Sequence, residues 1–208
     1  MKPATTATPL PIAPIRQPRS DAVRNRAAVI EAARKVMGKK GLDAGMDEIA
    51  RAAKVGVGTV YRHFPTKDDL VIALADYRFE RLAEFAREAL AEDDAGAAFE
   101  RFLFRAGELQ ASDRALSEVM RGYENVMPEA AERAGLLELT REVLTRAQRA
   151  GTIRPDVEAE DVPLVMCGIG STTNHPAPFI GGEAWRRFLA LVLDGMRPGA
   201  ATKLPPRA

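Results

Sequence analysis

The stretch Met46–Phe64 constrains the fold of this 208-residue chain most strongly, because its apolar residues repeat at helical spacing in two short runs. The residues of the first run are Met46, Ile49, Ala50 and Ala53, and those of the second are Val57, Val60, Tyr61 and Phe64. Gly56 and Gly58 lie at and just after the break. Two helices joined by a tight turn are typical of a helix-turn-helix unit, whose second helix lies in the major groove of DNA.

The predicted second helix turns one face to the core and the other to solvent. Because Val60 and Phe64 face the core, the other side chains point outward, and Arg62 can pair with two acceptors on a guanine edge. Glycine lets the backbone approach the DNA closely, and Val57 can contact a thymine methyl. The polar side chains on the same face are suited to phosphate contacts. The predicted DNA-binding residues are Gly56, Val57, Gly58, Thr59, Tyr61, Arg62, His63 and Lys67. The alternative is an ordinary pair of packed helices.

A third helix is predicted to follow directly. Pro65 ends the second helix, and Thr66 and Asp69 have the spacing of a capping box. Lys67 adds a positive charge to a first turn whose backbone N–H groups already favour a phosphate. The helix is predicted to run to near Leu90, which is long enough to join two domains. A tilt of this helix in one domain would move the DNA-reading helix in the other.

Residues from about Arg24 to Leu74 resemble the DNA-binding domain of the TetR (tetracycline-repressor) family. The run from Gly56 to Leu70, GVGTVYRHFPTKDDL, is similar to that family's third helix and the start of its fourth. The resemblance implies an all-α homodimer, in which a three-helix helix-turn-helix domain joins a larger helical domain that binds a small-molecule effector and dimerises. Family members usually carry a threonine where Met46 stands, and Gly45 can take over its role as N-cap. The C-terminal body resembles the SbtR-like subgroup.

Composition and charge divide the chain into four predicted parts. Residues 1–19 form a basic, proline-rich, disordered arm, and Arg16 and Arg19 either reach the DNA or remain solvated. Residues 20–74 form the DNA-binding domain, 75–197 the ligand-binding and dimerisation domain, and 198–208 a disordered tail. The net charge is only +1, but the chain carries a balance of +8 through Lys67 and −7 beyond it. This asymmetry predicts a basic nucleic-acid face on an acidic body.

The C-terminal body is predicted to hold a ligand chamber. Helices are expected over 97–110, 113–124 and 128–150, and their apolar side chains either line a cavity or form plain core. The predicted lining residues are Phe99, Phe102, Leu103, Met120, Tyr123, Met127 and Leu139. Nothing in this pattern names the effector.

The last two predicted helices, over 160–172 and 182–196, have wide apolar faces. A small body cannot cover both, so pairing with a second copy of the chain is expected. The predicted dimer-interface residues are Ile169, Gly170, Trp185, Phe188, Leu189 and Val192. Gly168 and Gly170 allow close helix approach. His175 lies in the loop between the helices, where it either contacts a ligand or is solvated.

Several classes of protein are disfavoured. The single cysteine excludes an intrachain disulfide and fits a reducing cytoplasm. Cys167 lies in an apolar run and is expected to be a small buried hydrophobe rather than a redox sensor. No run is long and apolar enough for a membrane span, and no signal sequence is recognised. Phosphate loops, paired Cys/His metal spacings and nucleophile motifs are also missing, so no enzyme activity, metal or cofactor is predicted.

The sequence therefore predicts a cytoplasmic homodimeric transcriptional regulator. Its expected partners are a double-stranded, pseudo-palindromic DNA operator and a small, fairly apolar effector that releases a repressor from that operator. The alternative is a DNA-binding regulator that responds to no ligand or to a partner protein.

Overall fold

A computed structural model describes residues 18–112, 122–123, 125–173, 183–199 and 202–205. Within these ranges the chain folds into nine α-helices and a short 3-10 turn, without strands, as predicted for an all-α protein. The helices are α1 (Pro18–Lys40), α2 (Met46–Ala53), α3 (Val57–His63), α4 (Lys67–Ala91), α5 (Ala95–Ser112), α6 (Val126–Arg133), α7 (Leu136–Arg149), α8 (Asp161–Thr173) and α9 (Ala184–Gly195). None of the helices in these ranges is long and apolar enough to cross a membrane.

The first hydrophobic core is formed by α1, α2, α3 and the first half of α4, together with Ala130 of α6. Its centre holds fully buried side chains from each helix, such as Met37, Ile49, Val60 and Leu74. Phe64, directly after α3, is only 2% exposed and closes the core. The apolar spacing that predicts the two short helices therefore also predicts correctly which of their faces is buried.

Local caps fix the two turns of this core. Gly41, just after α1, has a left-handed φ of 61°, which a residue without a Cβ adopts without strain. Lys40 reaches across this turn, and its Nζ lies 2.9 Å from a carboxylate oxygen of Glu48 in α2. Gly45 is the N-cap of α2 in an extended conformation and makes no side-chain bond, as expected where Met46 replaces a capping threonine.

The predicted capping box at the start of α4 is present. The Thr66 hydroxyl accepts a hydrogen bond from the backbone N–H of Asp69 at 3.1 Å. In return, the Asp69 carboxylate accepts one from the backbone N–H of Thr66 at 2.9 Å. Hydrogen bonds from the Thr66 side chain and backbone lower the pKa of Asp69 below its usual value. The start of α4 is therefore fixed directly after α3.

The second core lies in the C-terminal body, where the later turns of α4 pack with α5, α7, α8 and α9. Its largest fully buried side chains are Phe99, Leu103, Ile169, Trp185 and Leu189. Glycines bring these helices together. A Cβ on Gly107 of α5 would lie 2.6 Å from Cζ3 of Trp185, and one on Gly168 of α8 would lie 2.6 Å from Cζ of Phe188. The predicted close approach thus occurs inside one chain.

The structure differs from prediction over 128–150, where two helices replace one. Gly135 separates α6 from α7 with a left-handed φ of 62°. Its N–H bonds to the Glu132 carbonyl at 2.9 Å, so α6 ends in a tight turn instead of continuing. A glycine inside a periodic helical pattern is the signal that could have revealed this break. Most of the helix predicted over 113–124 lies outside the described residues.

The C-terminal end also differs from the predicted disordered tail, because residues 202–204 lie against the turn after α7. Arg154, 8% exposed, donates from Nε to Asp156 at 2.6 Å and also donates to the Thr202 carbonyl. The Leu204 N–H donates to Asp156 at 3.1 Å. The Arg154 guanidinium and the Leu204 N–H together hold the pKa of Asp156 far below its usual value. A half-buried ion pair thereby binds the tail. Residues 1–17 of the predicted arm lie outside the described part.

Removal of the α4 cap should destabilise the fold. Thr66→Ala should lower the free energy of unfolding by about 1 kcal/mol, because the Asp69 N–H loses its acceptor. Urea unfolding followed by circular dichroism measures this change. Ser112→Ala is the matched control. Within the described residues its hydroxyl bonds only the Leu109 carbonyl near the end of α5, so the change in stability should be less than about 0.5 kcal/mol. Equal losses in both variants would show that the box stabilises nothing.

The close contact at Gly107 gives a second prediction. Gly107→Ala should cost about 1–3 kcal/mol of stability, because the added methyl would force Trp185 to move. Gly38→Ala in α1 meets no atom within 4 Å and should instead stabilise the protein by up to about 1 kcal/mol. Thermal unfolding shows whether each variant is less or more stable than the unchanged protein. A neutral Gly107→Ala would mean that Trp185 has room to shift.

Candidate nucleic-acid interface

The outer face of α3 carries side chains that take no part in the first core. Val57 is 43% and Tyr61 48% exposed, and Arg62 is exposed as well. Thr59 and His63 are half-buried at the edges of this face. The predicted outward orientation is therefore confirmed for the centre of the set, while the DNA contacts themselves stay a prediction.

Neither glycine of this surface is required by the packing of the chain. A Cβ on Gly58 would meet no atom within 4 Å, and one on Gly56 would meet only the Thr59 hydroxyl at 4.0 Å. Gly56 has an ordinary φ of −68° and acts as the N-cap of α3, with its carbonyl accepting from Thr59 N–H at 2.8 Å. Both positions could therefore hold a side chain without a clash inside the chain. Close approach of another molecule is the physical use of such a surface.

The last turn of α2 and the turn after it add two basic residues, Arg51 and Lys54, that sequence reasoning missed. Lys54 is an exposed non-glycine residue with a left-handed φ of 57°, and its N–H bonds to the Arg51 carbonyl at 3.1 Å. Within the described ranges, no ion pair involves Arg51, Lys54 or Arg62. Their charges therefore remain available to an anion. The signal in the sequence was Lys54 directly before Val55-Gly56, with Arg51 three residues earlier.

The Lys67 side chain makes a hydrogen bond within the chain that the sequence did not predict. Its ammonium group donates a hydrogen bond to the Leu42 carbonyl, which ties the first turn of α4 to the turn after α1. An ammonium has three N–H donors, so this bond leaves others for a phosphate. The predicted phosphate contact stays a prediction. On α1, the guanidinium of Arg26 lies 5.3 Å from the centre of the Phe64 ring, while Arg24 pairs with Asp21.

The structure does not bring the predicted chamber residues together. Phe99, Phe102 and Leu103 are buried in the second core, and Leu139 packs against it. Tyr123 and Met127 instead pack against the first core, which corrects their predicted place in the chamber. The Tyr123 hydroxyl donates to Asp68 of α4 at 2.9 Å, and burial and this carboxylate raise the pKa of Tyr123. Met120 lies outside the described residues.

The predicted dimer surface also needs correction. Ile169, Gly170, Trp185 and Leu189 face the interior of their own chain, because α8 and α9 pack on α5. Phe188 and Val192 are half-buried. The apolar side chains that point away are Leu164, 62% exposed, and Leu191, 64% exposed. Cys167 is also exposed, so the prediction that it is buried is wrong. His175 lies outside the described residues.

Comparison with known proteins identifies both parts of the fold. Residues 29–74 match the model for bacterial regulatory proteins of the tetR family, and residues 94–198 match the C-terminal domain of SbtR-like transcriptional regulators. The chain belongs to the TetR family. The resemblance of its DNA-binding domain and of its C-terminal body is thus confirmed.

Solved structures of TetR proteins extend the likeness to most of the chain. A TetR transcription regulatory protein from Mycobacterium vanbaalenii is 38% identical, and the alignment covers 86% of this chain and 99% of that one with a TM-score of 0.67. A TetR regulator from Streptomyces coelicolor is 30% identical over 84% and 99%, with a TM-score of 0.66.

Curated relatives match over shorter stretches. The transcriptional repressor KstR from Mycolicibacterium smegmatis is 37% identical over 93 residues, which cover 43% of this chain and 44% of that protein. The chain spans less than half the length of the curated relatives it matches, from 29% to 44%. These relatives are transcriptional regulators, in agreement with the prediction that the chain is not an enzyme.

The exposed guanidinium of Arg62 gives the prediction for this surface. Arg62→Ala should weaken binding to operator DNA by about 1–3 kcal/mol and affect random duplex much less, because it removes a contact to a base edge. Arg51→Ala is the matched control, since it removes the same charge from α2 and should change both affinities by the same factor. Fluorescence anisotropy on both duplexes measures the ratio. A loss for Arg62→Ala that is equal on both DNAs would exclude base reading.

Proposed function

We propose that this chain is a cytoplasmic transcriptional repressor that binds a pseudo-palindromic operator as a homodimer and is released by a small-molecule effector. The observation that carries the proposal is the outer face of α3. There, Gly56 and Gly58 have room for a side chain, and Val57, Tyr61 and Arg62 keep large parts of their side chains exposed in the described part of the structure. The sequence similarity to KstR, which is named a repressor, favours repression over activation.

In this proposal the residues of the surface divide by the DNA atoms that they meet. Arg62 and Val57 contact base edges and so provide sequence discrimination. Thr59, Tyr61, His63 and Lys67, together with the newly found Arg51 and Lys54, contact phosphates and position the helix. Gly56 and Gly58 allow α3 to enter the groove without a side chain in the way.

A second copy of the chain is needed because a pseudo-palindrome presents α3 sites about 34 Å apart or a multiple of that distance. The outward face of α8 and α9 supports the pairing, since Leu164 and Leu191 expose more than 60% of their surface there. Phe188 and Val192, half-buried beside them, continue this apolar face. We infer that the interface is built from this face and not from the buried Trp185 and Leu189.

Helix α4 is the proposed mechanical link between effector and DNA. It runs without a break over 25 residues, about 37 Å, with its first turns in the DNA-binding core and its last turns in the second core. An effector that enters beside Phe99, Phe102, Leu103 and Leu139 would displace the α4 side chains packed there. The displacement would change the distance between the two α3 helices of the dimer.

The dense packing of the second core favours the alternative that the regulator has no ligand chamber. Phe99 and Leu103 are fully buried among their neighbours, as in a plain core. A regulator that responds to no ligand, or to a partner protein, would need no chamber. The two proposals differ in one result: whether any compound both raises the melting temperature of the protein and releases it from DNA.

The decisive experiment is an electrophoretic mobility shift on DNA that flanks the protein's own gene, with salt varied and random duplex as competitor. The proposal predicts a shift that survives the competitor and an affinity that falls steeply with salt, since the charges on and beside α3 displace counterions. Arg62→Ala serves as the negative control. If genome-wide selection also yields no specific fragment, the chain does not act on DNA.

A further inference from the structure

A groove lies where the DNA-binding domain meets the C-terminal body, away from the second core. It has a volume of about 330 Å³, at the lower end of the range for small-molecule sites. Three helices form its walls: α1, α4 and the end of α6. The lining residues that matter for its chemistry are Arg26, Ile30, Asp76, Tyr77, Glu80 and Arg133.

The floor of the groove is apolar. Ile30 is 5% exposed, and Ala73 and Ala130, which also line it, are 4% and 1% exposed. Tyr77, which also lines the groove, keeps 39% of its surface exposed and adds an aromatic ring. An apolar or aromatic body of modest size therefore fits between α1 and α6, and its burial would remove water from these side chains.

The charged groups that line the groove do not all have ion-pair partners. Asp76 already accepts two hydrogen bonds from Arg133, from Nε at 2.9 Å and from the terminal nitrogen at 2.6 Å. Glu80 already pairs with Arg87 at 2.7 Å. Arg26 lies over the Phe64 ring, and no carboxylate in the described part of the chain pairs with it. Arg26 is therefore the charged lining residue that has no ion-pair partner within the described part of the chain, although the lining as a whole carries two positive and two negative groups.

We propose that this groove binds a small amphipathic anion, whose carboxylate or similar group pairs with Arg26 and whose apolar body lies against Ile30, Ala73 and Tyr77. The site is separate from the chamber region around Phe99 and Leu103. Because α1 belongs to the DNA-binding domain and α6 to the body, a bound anion connects the two. It also engages the guanidinium that stacks on Phe64, directly after α3.

A charge series on one scaffold tests this proposal without DNA. Isothermal titration of the full chain at neutral pH compares 4-phenylbutyrate, the uncharged 4-phenylbutanamide and the cationic 4-phenylbutylamine. A charge-assisted hydrogen bond predicts that the carboxylate binds at least about tenfold more tightly than the amide, and that the amine binds most weakly. Binding of the amide or amine as tightly as the carboxylate would overturn the proposal, as would no binding of any probe at millimolar concentration.

Variants locate the binding. Arg26→Gln should reduce the affinity for the carboxylate to that for the amide, with the amide unaffected. Arg24→Gln is the matched control, because it removes the same charge from α1 outside the groove and should leave all three affinities unchanged. Ala134→Leu narrows the groove at the end of α6 and should weaken all three probes. Thermal unfolding verifies that each variant is folded. Carboxylate binding that survives both Arg26→Gln and Ala134→Leu would place the probe elsewhere and refute the site.

Discussion

The structure depends on burying one helix in two cores at once. Leu70 and Leu74 of α4 are fully buried in the first core, and Ala86 and Ala89 of the same helix are buried in the second core. Close-packed interiors deform little, so α4 cannot turn relative to one core without disturbing the other. The capping box at Thr66 fixes its start directly behind α3. The orientation of the DNA-reading helix is therefore determined by packing as far along the chain as α5 and α7.

The sequence predicts the DNA-binding domain well because its signals are local. Apolar spacing gives the buried faces of α2 and α3, Gly41 and Gly45 mark helix ends, and the Thr66–Asp69 pair appears as a reciprocal cap. Each of these depends on residues at most four positions apart. Lys54 and Arg51 were missed because their importance comes from their place beside α3 in space, which the apolar pattern does not report.

The prediction was less accurate for the C-terminal body, because an apolar helix face does not indicate which surface packs against it. The periodic residues of α8 and α9 are the same whether they face α5 or a second chain, and Trp185 and Leu189 were assigned to the wrong one. Tyr123 and Met127 were placed in the chamber on their apolar spacing alone, whereas they pack against the first core, and the Tyr123 hydroxyl donates to Asp68 of α4. The groove around Arg26 combines three helices distant in sequence, and no local pattern could reveal it.

The left-handed backbone at Lys54 has a consequence for how this surface can change. A residue with a Cβ is disfavoured there by roughly 1–2 kcal/mol, and glycine or asparagine would relieve the backbone. Each would also remove a positive charge next to α3. The position is thus subject to two opposing requirements, one from the fold and one from the surface it presents. Substitution of Lys54 by glycine or asparagine should therefore raise the stability of the fold and lower its affinity for an anion. A β-branched residue would satisfy neither requirement.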